Sequence, residues 1–155
     1  MKSLSKILKT GIALASIGYL SLGNAEKVYG QTPTPTITPT PIINPNNGHA
    51  YNVIDKTQSW NSQSWHSAKQ RAEAQIFRGR QGHLATITSA EENDWILTNL
   101  YRTQPNYWIG GQKEEGIWKW ITGEPWIYEN WFPGQPGGTE DYLVYSFSEL
   151  GRWHD

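Results

Sequence analysis

From Tyr107 to Asp155 the chain carries tryptophans, glycines and acidic groups in a fixed order, with loop residues between them. The stretch reads Tyr107-Trp108-Ile109-Gly110-Gly111, Trp118-Lys119-Trp120, Asn130-Trp131-Phe132-Pro133-Gly134-Gln135-Pro136, Glu140-Asp141-Tyr142 and Trp153-His154-Asp155. Helical periodicity vanishes after Pro105, so this half cannot be a helical bundle. Ile117 to Ile121 and Tyr142 to Tyr145 are short aromatic or β-branched runs bounded by Gly and Pro, the pattern of strands. Nine tryptophans and eight tyrosines in 155 residues supply enough apolar area for about 100 residues to bury a core. There is no cysteine, so stability has to come from packing or a bound ion.

The preceding segment has a different texture. Ala50 to Ile54 reads as a first strand. Ser64 is placed to cap a helix whose Trp65, Ala68, Ala72 and Ile76 share one face, with Gly79 and Gly82 ending it. His83 to Ile87 reads as a short strand. Ser89-Ala90-Glu91-Glu92 is a capping box that starts a second helix through Ile96 to about Leu100. Glu91, Glu92 and Asp94 read as helix-start charges favoured by the dipole. Two helices followed by short strands and long loops predict an α+β fold.

The N-terminal region has two further textures. Residues 1–25 have the form of a secretory signal: Lys2, Lys6 and Lys9, an apolar run from Gly11 to Leu22, then Gly23-Asn24-Ala25 as a cleavage site. The run is too short to cross ~30 Å of hydrocarbon comfortably. No transmembrane segment is therefore expected in the mature chain, which is expected to be secreted, extracellular, at the cell surface or periplasmic. Cleavage would leave 10 of the 13 basic residues against 14 acidic ones, a net charge of −4. That balance argues against a nucleic-acid partner. Residues 26–47 contain a Thr/Pro alternation that supports neither helix nor sheet and read as an extended linker. The globular domain is expected over 48–155.

The ordered set from Gly48 to Asp155 resembles the C-type lectin-like domain. The first half of the resemblance is carried by a tryptophan, a helix, Gly82-His83-Leu84-Ala85-Thr86-Ile87, Ser89-x-x-Glu92-Asn93, a second helix and Trp108-Ile109-Gly110-Gly111. The Trp108–Trp153 framework carries the second half. The resemblance implies two helices, short antiparallel sheets and a long ligand-binding loop. It also implies a closing strand after the last motif. The sequence stops inside that motif, at Asp155: either it is a fragment, or the domain has an open edge at Tyr51 to Ile54.

The resemblance places a calcium site in the long loop. Its first motif falls on Gln135-Pro136-Gly137, with a cis bond implied at Pro136. The acidic position before the next strand falls on Glu140, and the last motif on Trp153-His154-Asp155. A hard cation takes six to eight oxygens. Gln135, Glu140 and Asp155 can supply oxygen, whereas Gly137 has no side chain. His154 and Asp141 are weak candidates: His154 offers nitrogen, and Asp141 points away from its strand neighbour Glu140. Ca2+ is thus the cofactor the resemblance implies, with three of five side-chain positions usable. The glutamine form leans toward galactose-type sugars. Gln135, Glu140 and Asp155 are the expected sugar contacts, with Trp126 and Trp131 as stacking candidates.

The implied function is a carbohydrate-binding, lectin-like module whose partner is a carbohydrate or glycoconjugate. The competing reading is a metal-independent domain of the same fold that binds a protein or another surface ligand. No nucleophile elbow, phosphate loop, zinc motif or triad is present, so an enzyme is not expected. His49, His66 and His83 lack metal-site spacing, and Glu124-Pro125-Trp126 reads as a turn.

Overall fold

The computed structural model describes residues 13–17, 40–54, 64–100 and 105–155. Most of the signal-like segment and of the Thr/Pro run lies outside the described residues. The elements in chain order are β1 (Ala13–Ile17), β2 (Ile42–Ile43), β3 (Ala50–Ile54), α1 (Trp65–Glu73), β4 (Ile76–Phe77), β5 (Arg80–Gln81), β6 (His83–Leu84), α2 (Ala90–Asn99), β7 (Asn106–Glu114), β8 (Ile117–Trp120), β9 (Tyr142–Ser146) and β10 (Arg152–His154). One sheet runs in the order β10-β9-β7-β1-β3-β2, with β8 paired to β7 and β6 to β1. The architecture is α+β, as the sequence predicts.

The two faces of this sheet bury different helices, and strand alternation decides which residue goes where. Tyr107, Ile109, Leu143, Tyr145, Tyr51 and Val53 join Ile96 of α2 in the larger core cluster. Their neighbours Trp108, Val144 and Ile54 face the other way and pack with Trp65, Ala68 and Ala72 of α1. Both helix starts are capped as the sequence predicts. Ser64 accepts from the Ser67 N–H at 3.3 Å, and Ser89 from the Glu92 N–H at 3.2 Å.

Three expectations are corrected. The first helix stops at Glu73, and Ile76 leaves its apolar face to become 75% exposed in β4. Arg78 and Gly79, at φ 51° and 77°, form the two-residue turn of the β4–β5 hairpin, a turn that requires two left-handed residues. The edge of β3 is not open. β1 pairs along all of it, from Ala13↔Ile54 to Ile17↔Ala50, and meets β7 at Ala13↔Trp108. This central strand comes from within the segment that reads as a signal. The ordered region also begins before Gly48: Ile42 and Ile43 pair with Tyr51 and Ala50, and Asn44 is buried.

Glu92 is more than a helix-start charge. It is 4% exposed and collects donors from three segments. Its carboxylate accepts from the Tyr51 hydroxyl, from Asn47 Nδ2 at 3.1 Å and from the Thr88 N–H at 2.7 Å. His49 Nδ1 stands 3.7 Å away. The acid therefore reaches back one residue beyond its cap and pins α2 to β3.

Gly110 and Gly111 lie where the β7–β9 register shifts, between Trp108 and Gln112. The Gly110 N–H donates to Ala85 O at 2.7 Å, and its carbonyl accepts from the Ile121 N–H at 2.9 Å. A Cβ at Gly110 would lie 2.8 Å from Leu84 O, a backbone atom that cannot swing aside. Gly110→Ala is expected to cost about 1–3 kcal/mol, read as a lower denaturant midpoint at unchanged m-value.

Candidate functional site

The loop from Ile121 to Asp141 has no strand of its own beyond one parallel bridge, Trp131↔Trp153. β10 straps it down. The Trp153 N–H donates to Asn130 O at 2.8 Å, Phe132 N–H to Trp153 O at 2.9 Å, and Asn130 Nδ2 to Gly151 O at 2.8 Å. Indoles fill the space beneath. Trp126 lies 4.5 Å from Trp120 and 5.8 Å from Trp153 between ring centroids, and Trp131 lies 5.2 Å from Trp118. Such ring contacts add to the area they bury and make the loop a rigid surface. The recurrence of tryptophan in the sequence is therefore explained mainly by packing. Trp126 and Trp131 are both half-buried, and Trp126 Nε1 donates to Glu129 at 2.6 Å.

The loop tip brings two of the expected site residues together. The Gln135–Pro136 bond is cis, as the resemblance implied. The Gly137 N–H donates to Gln135 Oε1 at 2.9 Å and to Asp155 Oδ1 at 2.6 Å, while the Gly138 N–H donates to Asp155 Oδ2 at 2.9 Å. Glu140 takes part through its backbone, since its carbonyl accepts from Lys113 Nζ at 2.8 Å. Glu140 and Asp141 also line a cleft of about 340 Å³ with Trp65, His66 and Tyr142. His154 is turned away from the tip: its Nε2 pairs with Glu149, and its ring stacks on Phe132 at 5.0 Å.

Lys113, on β7, was not legible as a site residue. Its ammonium stands 3.8 Å from Asp141 Oδ1 and 3.8 Å from Asp155 Oδ2, and 5.1 Å above the Trp118 ring. No spacing rule links residue 113 to residue 155. The β7–β9 pairing, with the Lys113 N–H on Asp141 O at 2.8 Å, and the β9–β10 pairing beside it bring them together.

These residues do not fit a calcium ion. Both Asp155 oxygens accept backbone N–H groups, and an ammonium already faces the carboxylates. Gly137 leaves a ligand position empty of side chain: a Cβ there would point at Asp155 Oδ1, 3.4 Å away, and Gln135 Oε1, 3.6 Å away. Among the described residues no three His, Cys, Asp or Glu side chains gather as a metal site. A calcium ion would have to displace these N–H groups and the ammonium to collect its oxygens. Of the expected calcium set, Gln135 and Asp155 are tied to the tip's own N–H groups, and His154 pairs with Glu149 and stacks on Phe132. Asp141 faces the ammonium.

Comparison with known proteins agrees with the fold. The profile of the family described as "Lectin C-type domain" matches residues 61–155. Halomucin of Haloquadratum walsbyi is 37% identical over 107 residues, covering 68% of this chain and 1% of that protein. A protein of Pleurodeles waltl named "Lectin" is 28% identical over 113 residues, covering 68% of this chain and 61% of its own length. The chain thus spans less than two thirds of either relative. The solved structure of human lithostathine shares the fold at 18% identity and a TM-score of 0.50, covering 60% of this chain and 67% of that one. Among the described residues no helix is long and apolar enough to cross a membrane.

Proposed function

Because this chain belongs to the Lectin C-type domain family, we propose that it is an exported carbohydrate-binding module that engages glycans at the Gln135–Asp155 loop tip without calcium. One observation carries the site: Gln135 and Asp155 meet on the Gly137 N–H at 2.9 and 2.6 Å, at the end of a loop that indoles and β10 hold rigid. The partly exposed Gln135 amide, which both donates and accepts, suits sugar hydroxyls, and the buried Asp155 carboxylate braces it through the tip backbone. The half-buried Trp126 and Trp131 lie along the same loop as stacking surfaces. A loop held by ring packing and by β10 loses little entropy on binding.

Export is supported by Lys2, Lys6 and Lys9 ahead of the apolar run. A cut after Ala25 would remove β1, so processed and unprocessed chains would differ by a central strand. A second reading, a protein ligand on the same loop, is favoured by Ile127, which is 78% exposed there.

A glycan array probed with the full chain, in chelator and in calcium, tests the proposal. Binding to a defined glycan set in both buffers is expected, weakened at least about tenfold by Gln135→Ala, a loss of ~1.4 kcal/mol. An array with no bound glycan, alongside retained folding, favours the protein-ligand reading.

A further inference from the structure

We propose that the Lys113 ammonium is the resident cation of the ligand loop, holding the segment from Gln135 to Asp141 against β10 in the place where a metal ion would otherwise be required. Asp155 carries a carboxylate whose side chain is 1% exposed, and a buried carboxylate needs a partner. Its hydrogen bonds come from Gly137 and Gly138, two residues of the tip itself. Its counter-charge comes from Lys113, whose side chain is 13% exposed and sits on a strand, not on the loop.

The same ammonium reaches both sides of the tip. It donates to the Glu140 carbonyl at 2.8 Å and faces Asp141 at 3.8 Å, so one group joins β10, the tip and the entry to β9. Trp118 lies under it at 5.1 Å, a cation–π contact that fixes the head group's position. Lysine carries three donors on a compact charge and can serve several oxygens at once. Lys113 is a positioning residue: it orders the Gly137–Gly138 backbone, and that backbone orders Gln135.

The test needs no glycan and is independent of the sugar reading. Thermal unfolding of the full chain is measured in calcium chloride and in EDTA, for wild type, Lys113→Met and Lys113→Arg. Amide hydrogen exchange at Gly137 and Gly138 is followed in parallel. Wild-type midpoints are expected to agree within about 1 °C in the two buffers, because a ion bound only by the native state would raise one of them. Lys113→Met is expected to melt lower and to lose protection at both glycines, and Lys113→Arg to recover at least half of each loss. A wild-type midpoint several degrees higher in calcium overturns the proposal. So does unchanged glycine protection in Lys113→Met, or an arginine variant no better than methionine. The wild-type arm decides even where a variant fails to fold.

Discussion

Glu92→Ala is expected to lower the unfolding free energy by about 3–5 kcal/mol, as much as truncating a buried aromatic of the core. The substitution leaves the Tyr51 hydroxyl, Asn47 Nδ2 and the Thr88 N–H without their acceptor. Each such donor costs roughly 1–3 kcal/mol where burial denies it water. Tyr51 is fully buried, and His49 Nδ1, 3.4 Å from its hydroxyl, is a longer and uncharged substitute for the carboxylate. Chemical denaturation with the m-value monitored checks this, and a loss below about 1 kcal/mol would contradict the role given to Glu92.

The same hub has a pH signature. Burial pushes the Glu92 carboxyl up, but His49, the Tyr51 hydroxyl and the Thr88 N–H outweigh it and hold the group below the ordinary 4.5. Its stabilisation is present above 4.5 and is lost as pH falls through the depressed folded value. The Glu92 carboxylate raises the His49 imidazole above its ordinary 6.5, against desolvation. That contribution is complete below 6.5 and is lost as pH rises through the raised folded value. The stability gap between wild type and Glu92→Gln is therefore expected to be widest between pH 4.5 and 6.5. A flat gap across that range and beyond it would remove the linkage.

Removing residues 1–25 is expected to be the largest change of any kind short of unfolding. It takes away β1 and with it five register pairs to β3, two to β6 and one to β7. Backbone hydrogen bonds contribute about 0.5–1.5 kcal/mol each, so several kcal/mol are at stake. The new edge at Ala50–Ile54 is a template for pairing with another chain. The shortened chain is expected to melt lower, to exchange its β3 amides quickly and to associate with increasing concentration. Equal midpoints and equal β3 protection in the two chains would show that β1 contributes nothing.

What could be seen in the sequence was local. Ser64 and Ser89 announce their helices because a cap is a matter of three or four consecutive residues, and Ala50 to Ile54 announces a strand by composition. β7 was harder: two glycines interrupt the alternation in Trp108-Ile109-Gly110-Gly111, and they are there for the close approach of Leu84 and Leu143. Ile76 fitted the helical spacing of Trp65, Ala68 and Ala72, but the Arg78–Gly79 turn competes for the same residues. The strand Ala13–Ile17 was hidden because an apolar run after lysines has a second physical meaning.

At the site, the order of the motifs located the tip, and the loss of a side chain at Gly137 was visible as a missing ligand. The replacement was not. Lys113 lies more than twenty residues from Glu140 and Asp155 in the chain, and only strand pairing makes them neighbours. Glu92 likewise looks like a surface dipole charge until β3 is folded against α2. Non-local charge pairing, not local propensity, is what the sequence withheld in both places.

Under the proposed function, sugar hydroxyls are held at the loop tip without a metal bridge. Titration calorimetry of the full chain with its array-identified glycan, in EDTA and again in calcium chloride, tests it most directly. The same Kd is expected in both buffers, and a weaker one for Gln135→Ala. Binding that vanishes in EDTA and returns with calcium would contradict it.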